Sequence, residues 1–254
     1  MANKTSTAQK GIGYKIKNMT DTNMLLTITI VIFFLMYIGA IVFQGEGFLR
    51  PQTFLSMLNA NGALIITSCG MSLVMITGGI DISVGGVVAL VSMCSAVYLD
   101  YHNGSILGAV LISLGIGLAF GIVQGYLVAY LDIQPFIVSL AGMFFARGMT
   151  TIVNTNPFNV QNEAFVALKD TRVIVPGLGS VNKLGRYVDA YVEIGVVVAL
   201  LVVILMFIML RWTKLGRSFY AVGGNQQSAL MLGINVRRTK FLSHLICSLL
   251  AGIG

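Results

Sequence analysis

The sequence predicts an all-α fold, a polytopic transmembrane helical bundle with broken or short helices around residues 62–99, and three observations predict it. Of the 254 residues, 56% are hydrophobic and only 10% charged, against roughly 25% charged in an ordinary soluble domain. Apolar runs recur at 24–43, 62–76, 84–99, 106–131, 136–153, 194–210 and from Phe241 onward; several approach the ~20 residues that cross a ~30 Å hydrocarbon core. The net charge of +7 is gathered beside these runs, at Lys4, Lys10, Lys15 and Lys17 and at Arg211, Lys214, Arg217, Arg237, Arg238 and Lys240. Basic clusters flanking spans are the positive-inside signal, so the expected partner is a lipid bilayer and not a nucleic acid.

The first span, 24–43, is read as retained. It is longer than a signal-peptide core, and no small-x-small cleavage pattern follows in QGEGFLRP. Residues 62–99 are almost continuously apolar, and one straight helix over them would run roughly 57 Å, nearly twice the hydrocarbon thickness. The stretch must break, and the glycine pairs Gly78–Gly79 and Gly85–Gly86 mark the place. Charge then separates one span from two. With spans at 62–77 and 83–99 and a cytoplasmic N-terminus, six crossings return the basic 211–240 segment to the cytoplasm; a single span would turn it outward. A re-entrant hairpin from one side has the same parity. Further spans follow at 105–131, 135–153 and 191–210. A seventh, 241–254, ends while still apolar and is expected to be incomplete. The connections 45–61, 100–105 and 154–190 fall outside, and 132–135 is a short inside turn.

Within the segments, Gly117, Gly121 and Gly125 recur every fourth residue, a spacing that lets helix backbones approach closely in lipid. Asp81 in TGGIDISVGG lies at the expected break, with Gly78, Gly79, Ser83 and Gly85 around it. There a carboxylate can accept hydrogen bonds from the first free N–H groups of the next helix and interact favourably with its dipole. Cys69, Cys94 and Cys247 are isolated in apolar segments, and His102 and His244 lack any metal-type spacing. Neither a metal site nor a catalytic constellation is expected. No G-x-x-x-x-G-K-[ST] phosphate loop occurs, so ATP is not expected to bind this chain. Ionisable residues within apolar segments are limited to Asp81, Arg147 and Glu193, few for an ion-coupled relay. An ion-coupled secondary transporter or channel using Asp81 stands as the alternative to transport powered from outside the chain.

The connection RWTKLGRSFYAVGGNQQSALMLGINVRRTK is more than a basic flank. Gly223, Gly224 and Asn225 form a turn before QQSALMLG, a short helix with Asn225 as N-cap and Gly233 as the residue that ends it. Ala229, Leu230 and Leu232 offer it small and apolar contacts. A short exposed helix held between two spans suits the docking of a cytoplasmic partner, and an ordinary interfacial helix is the competing reading.

GRSFYAVGGNQQSALMLGINV resembles the coupling-loop region of ABC importer permeases of the ribose/galactose/xylose branch. TGGIDISVGG is similar to that branch's T-G-G-I-D-L-S-V-G signature, and PFIVSLAGMFFARG to its P-x-[FI]-[IV]-x-[TS]-L-x-G-M-x-x-x-R-G block. The three occur in matching order over residues 60–240, and the FFARG form is closest to galactofuranose-type permeases. The resemblance implies a permease subunit, not an enzyme, in a bacterial inner membrane. A second permease subunit, identical or paralogous, and an extracytoplasmic sugar-binding protein would complete the pathway. A cytoplasmic ABC ATPase would hold the ATP and Mg and dock at Gly223, Gly224, Asn225, Gln226, Gln227, Ala229 and Gly233. Gln226–Gln227 departs from the acidic residues common there. Asn59, Asn61, Gln124 and Asn154 are candidates for lining a partly polar pathway, set against roles as interhelical hydrogen-bond residues.

Overall fold

The computed structural model describes residues 21–44, 51–156, 158–181 and 187–254; Lys4, Lys10, Lys15, Lys17, Glu46, Arg50, Lys183 and Arg186 lie outside them. The chain divides into two units, Met1–Phe54 and Leu55–Gly254. In the first, helix α1 (Asp21–Gln44) is apolar on every side and its Met24–Phe43 stretch buries nothing. Phe33 stacks on Tyr37 and meets Phe34 edge-on. A helix without a polar face is the pattern of a membrane span.

Helix α2 (Pro51–Ile76) begins earlier than the expected 62, because Pro51 is suited to a helix's first turn and nothing up to Gly62 breaks it. Asn61 lowers the hydropathy there without ending the helix, since its amide donates to the Met57 carbonyl at 2.7 Å. After the break at 77–83 follow α3 (Val84–Tyr101), α4 (Ile106–Ala129) and α5 (Pro135–Val153). Ser105 caps α4 by accepting from the Gly108 N–H, and α5 opens with proline. The 154–190 connection contains elements that hydropathy alone does not show. A short helix α6 (Glu163–Lys169) is followed by an antiparallel hairpin of β1 (Arg172–Val181) and β2 (Tyr187–Glu193), with Arg172 paired to Glu193. Its run of β-branched residues, RVIV, favours strand. The bundle itself is all-α.

Beyond the hairpin come α7 (Ile194–Trp212), α8 (Lys214–Gly224), α9 (Gln226–Met231) and α10 (Val236–Ile253). Among the described residues six helices are long and apolar enough to cross a membrane: α1, α2, α3, α4, α5 and α7. The core of the second unit joins Ile66 and Leu73 of α2, Ala199, Val202 and Met206 of α7, Phe219 of α8 and Leu250 of α10.

Helices α4 and α10 pack closely, and the glycines explain it. A Cβ at Gly117 would lie 2.7 Å from the Ser248 carbonyl oxygen, at Gly121 2.8 Å from the Leu245 Cα, and at Gly125 2.9 Å from the Phe241 carbonyl oxygen. Each neighbour is backbone and cannot swing aside. In lipid such close approach supplies the van der Waals contact that holds helices together. Gly115 on the same helix has nothing within 4 Å of its missing Cβ. Gly121→Leu is therefore expected to cost about 1–3 kcal/mol by overpacking and to lower the melting temperature of the detergent-solubilised protein, measured by scanning fluorimetry. Gly115→Leu is the control, and equal melting of the two variants would show that α4 and α10 do not pack through this face.

Candidate functional site

Two neighbouring features make up the site: the short helix α9 and the break between α2 and α3.

Helix α9 is only 6 residues long, too short to persist alone in water, so its ends must be held. Asn225 adopts extended backbone, and its side chain accepts from the Ser228 N–H at 2.9 Å. At the other end Gly233 has φ +78°, a conformation that favours glycine. The Gly233 N–H donates to Leu230 O and the Ile234 N–H to Ala229 O, the paired bonds of a Schellman motif. Asn235 then caps α10 by accepting from the Arg238 N–H. Ala229, 1% exposed, packs with Val222 and Val236 and so anchors α9 to the chain's own helices. Leu230, Met231 and Leu232 are 59%, 81% and 77% exposed. The outward apolar surface of this segment is thus Leu230–Leu232, and Met231 was not singled out by residue pattern. Gln226 and Gln227 are exposed as well.

The break ends α2 by the same device. Gly78 has φ +81°, its N–H donates to Met75 O, and the Gly79 N–H donates to Val74 O. Irregular though it is, the segment buries its polar side chains, with Thr77, Asp81 and Ser83 all nearly inaccessible, while Ile80 is exposed. Asp81 Oδ1 accepts from the Ser83 N–H at 2.9 Å and from the Ser83 hydroxyl at 2.6 Å. The carboxylate therefore closes a turn onto Ser83, the N-cap residue of α3, whose hydroxyl makes no capping bond of its own. Gln124 Nε2 donates to Ser83 Oγ at 2.9 Å, forming a buried chain from Gln124 through Ser83 to Asp81. Gly142 of α5 leaves room for it, since a Cβ there would lie 2.5 Å from Gln124 Nε2. Gly85 has open space about it.

The polar residues proposed for a pathway are dispersed. Asn59 accepts from the Glu193 N–H at 3.0 Å, joining α2 to the end of β2. Asn61 bonds within its own helix. Asn154 ends α5, accepts from the Asn156 N–H and donates to the Tyr101 hydroxyl. Gln124 alone is buried, at the edge of a 410 Å³ apolar groove between α4 and α5. No two of the four are bonded to each other, and each has a hydrogen-bond partner. Residue pattern missed Thr77 and Ser243, whose hydroxyls are 3.3 Å apart and join the break to α10. A threonine just before the glycine pair is the only signal that marks either. Among the described residues, no group of three or more His, Cys, Asp or Glu side chains is placed to hold a metal ion.

Residues 53–254 match the family described as branched-chain amino acid transport system / permease component. The fructose import permease protein FruG of Bifidobacterium longum is 33% identical over all of this chain and 71% of its own length. The inner membrane ABC transporter permease protein YjfF of Escherichia coli is 33% identical over 93% of this chain and 68% of its own. The ribose import permease protein RbsC of Escherichia coli is 30% identical, covering 87% and 65% respectively. No solved structure matches. The chain belongs to the branched-chain amino acid transport system / permease component family, as a multi-pass membrane permease component rather than an enzyme.

Proposed function

We propose that this chain is the permease subunit of an ATP-binding-cassette importer and forms, with a second permease subunit, the pathway for a monosaccharide across the bacterial inner membrane. The observation that carries the reading is α9: a capped, buried-on-one-side helix between α8 and α10 that presents Leu230, Met231 and Leu232 outward. The sugars in the names of FruG and RbsC support the substrate class, and the "inner membrane" of YjfF supports the location. The cytoplasmic ATPase holds ATP and Mg and takes α9 into its surface. An extracytoplasmic binding protein delivers the sugar and makes most of the selection. The basic residues of 211–240 support a cytoplasmic α9, and Lys4, Lys10, Lys15 and Lys17 a cytoplasmic N-terminus. ATP-dependent uptake of labelled fructose and ribose into proteoliposomes containing the permease, ATPase and binding protein tests this reading. Uptake that follows an ion gradient without ATP would overturn it.

Two variants sharpen the test. Met231→Asp and Leu232→Asp place a charge on the exposed side of α9 without touching its inward contacts. Each is expected to reduce co-purification of the ATPase about tenfold or more, as removal of an apolar anchor does, with membrane insertion unchanged. Undiminished co-purification with both would remove α9 as the docking element. At the break, Asp81→Asn preserves an acceptor for the Ser83 N–H and hydroxyl, so uptake is expected to stay within about threefold of the parent. Asp81→Leu leaves the Ser83 N–H buried and unpartnered, at about 1–3 kcal/mol, and forces the Ser83 hydroxyl onto Gln124 Oε1; it is expected to impair assembly. Complete loss of uptake with the asparagine in a fully assembled complex would make the charge itself essential.

A further inference from the structure

The two features of the site are not merely neighbours. A Cβ built on Gly223 falls onto the carbonyl oxygen of Ile76, so the end of α8 rests directly on the last turn of α2, backbone against backbone. Gly223 is two residues before Asn225, the N-cap of α9. On the other side of α9, Gly233 to Asn235 lead straight into α10, where Ser243 Oγ lies 3.3 Å from Thr77 Oγ1. Both flanks of α9 therefore converge on one point, the Ile76–Thr77 end of the break. Thr77 has a single hydroxyl proton, which it can direct to Ser243 Oγ or back to the Val74 carbonyl at 2.9 Å.

At the same junction Asp81 Oδ2 and His244 Nε2 are buried polar atoms without a geometric hydrogen-bond partner among the described residues, with the Cys247 thiol beside the Asp81 carboxyl. His244 approaches the break, its Cε1 3.7 Å from the position of a Cβ on Gly79, and it lies within electrostatic reach of Asp81. Its Nδ1 is committed to the Lys240 carbonyl at 3.0 Å. Native interiors rarely leave such groups unpaired, so the break is less fully bonded than the helices around it. A segment without a continuous helical ladder, joined to its neighbours by single hydroxyl bonds, is the kind of two-state element that transmits coupling.

We propose that the 77–83 break is the receiver through which displacement of α9 enters the membrane helices, with Gly223 and Thr77 as its positioning residues: Gly223 by seating α8 on Ile76, Thr77 by tying the break to α10. This rests on the transport reading above. Motion imposed on α9 shifts α8 and α10 together, and the break is the element both of them touch. The break then rearranges at Asp81–Ser83 and reorients α3, whose N-cap residue, Ser83, it contains.

The test is hydrogen–deuterium exchange on the full permease co-purified with its ATPase in lipid nanodiscs, nucleotide-free and trapped with ATP–Mg on a hydrolysis-deficient ATPase. Exchange in the peptides covering 71–83 and 223–235 is expected to change about fivefold or more on trapping, the lower range of an allosteric coupling. In Thr77→Val, which keeps shape and loses the hydroxyl, the 223–235 response is expected to persist while the 71–83 response collapses. Thr77→Ser is expected to restore it, which a merely structural role for the side chain would not require. A response at 223–235 with none at 71–83 in the parent complex would overturn the proposal, as would an undiminished 71–83 response in Thr77→Val. A parent chain that does not hold the ATPase at all would instead sink the transport reading, and the proposal with it.

Discussion

Away from water, every backbone polar group needs a partner within the protein, and this requirement organises the second unit of the chain. Helices meet it internally, except where the chain must stop and restart within the bundle. At 77–83 it does both. Gly78 can take the positive φ of a Schellman turn, so the N–H groups of Gly78 and Gly79 fold back on the last carbonyls of α2. The following helix needs an acceptor for its incoming chain, and Asp81 Oδ1 provides it for Ser83. Asp81 in an apolar region thus follows from the backbone's demand, because its side-chain oxygen is the acceptor that the Ser83 N–H requires.

The break also decides how closely its neighbours must come. Irregular backbone is tolerated at membrane depth only when buried in protein, and the close approach that buries Thr77, Asp81 and Ser83 is made possible by glycines. Gly223 admits the Ile76 carbonyl, Gly142 admits the Gln124 amide, and Gly70 brings α2 to within 3.0 Å of the Cys247 Cα, measured from its absent Cβ. The stripe Gly117–Gly121–Gly125 then sets α10 against α4, with Ser243 and His244 facing the break. Close packing and polar satisfaction are one arrangement, since α10 cannot reach Thr77 unless α4 lets it approach.

How much of this was legible in the residues depended on whether the signal was local. The all-α membrane bundle was legible from apolar runs and the scarcity of charge. Asn225 and Gly233 announce the ends of α9 because capping is decided within a few residues. The hairpin at 172–193 was not legible, since hydropathy read an extracytoplasmic connection and stopped there; the β-branched RVIV was the available signal. The start of α2 at Pro51 was obscured by Asn59 and Asn61, which lower hydropathy without breaking a helix. Pairings between residues far apart in sequence, such as Thr77 with Ser243 and Ser83 with Gln124, have no local pattern. Residue type left Asn59, Asn61, Gln124 and Asn154 between lining a pathway and serving as hydrogen-bond residues, and the fold gives each a separate hydrogen-bond partner.

The division of labour within α9 shows why a contact surface is hard to read from a short helix. Ala229 looks like a small docking residue, yet it is the one wedged between Val222 of α8 and Val236 of α10. A charge at Ala229 would therefore detach the helix from its own chain as readily as from a partner. Leu230, Met231 and Leu232, on the outward side, touch little of the protein that presents them. With 6 residues and no stability of its own, α9 keeps its shape only while α8 and α10 keep theirs. Whatever displaces its outer side must act on its inner one, and the inner side leads by two routes to the same buried threonine.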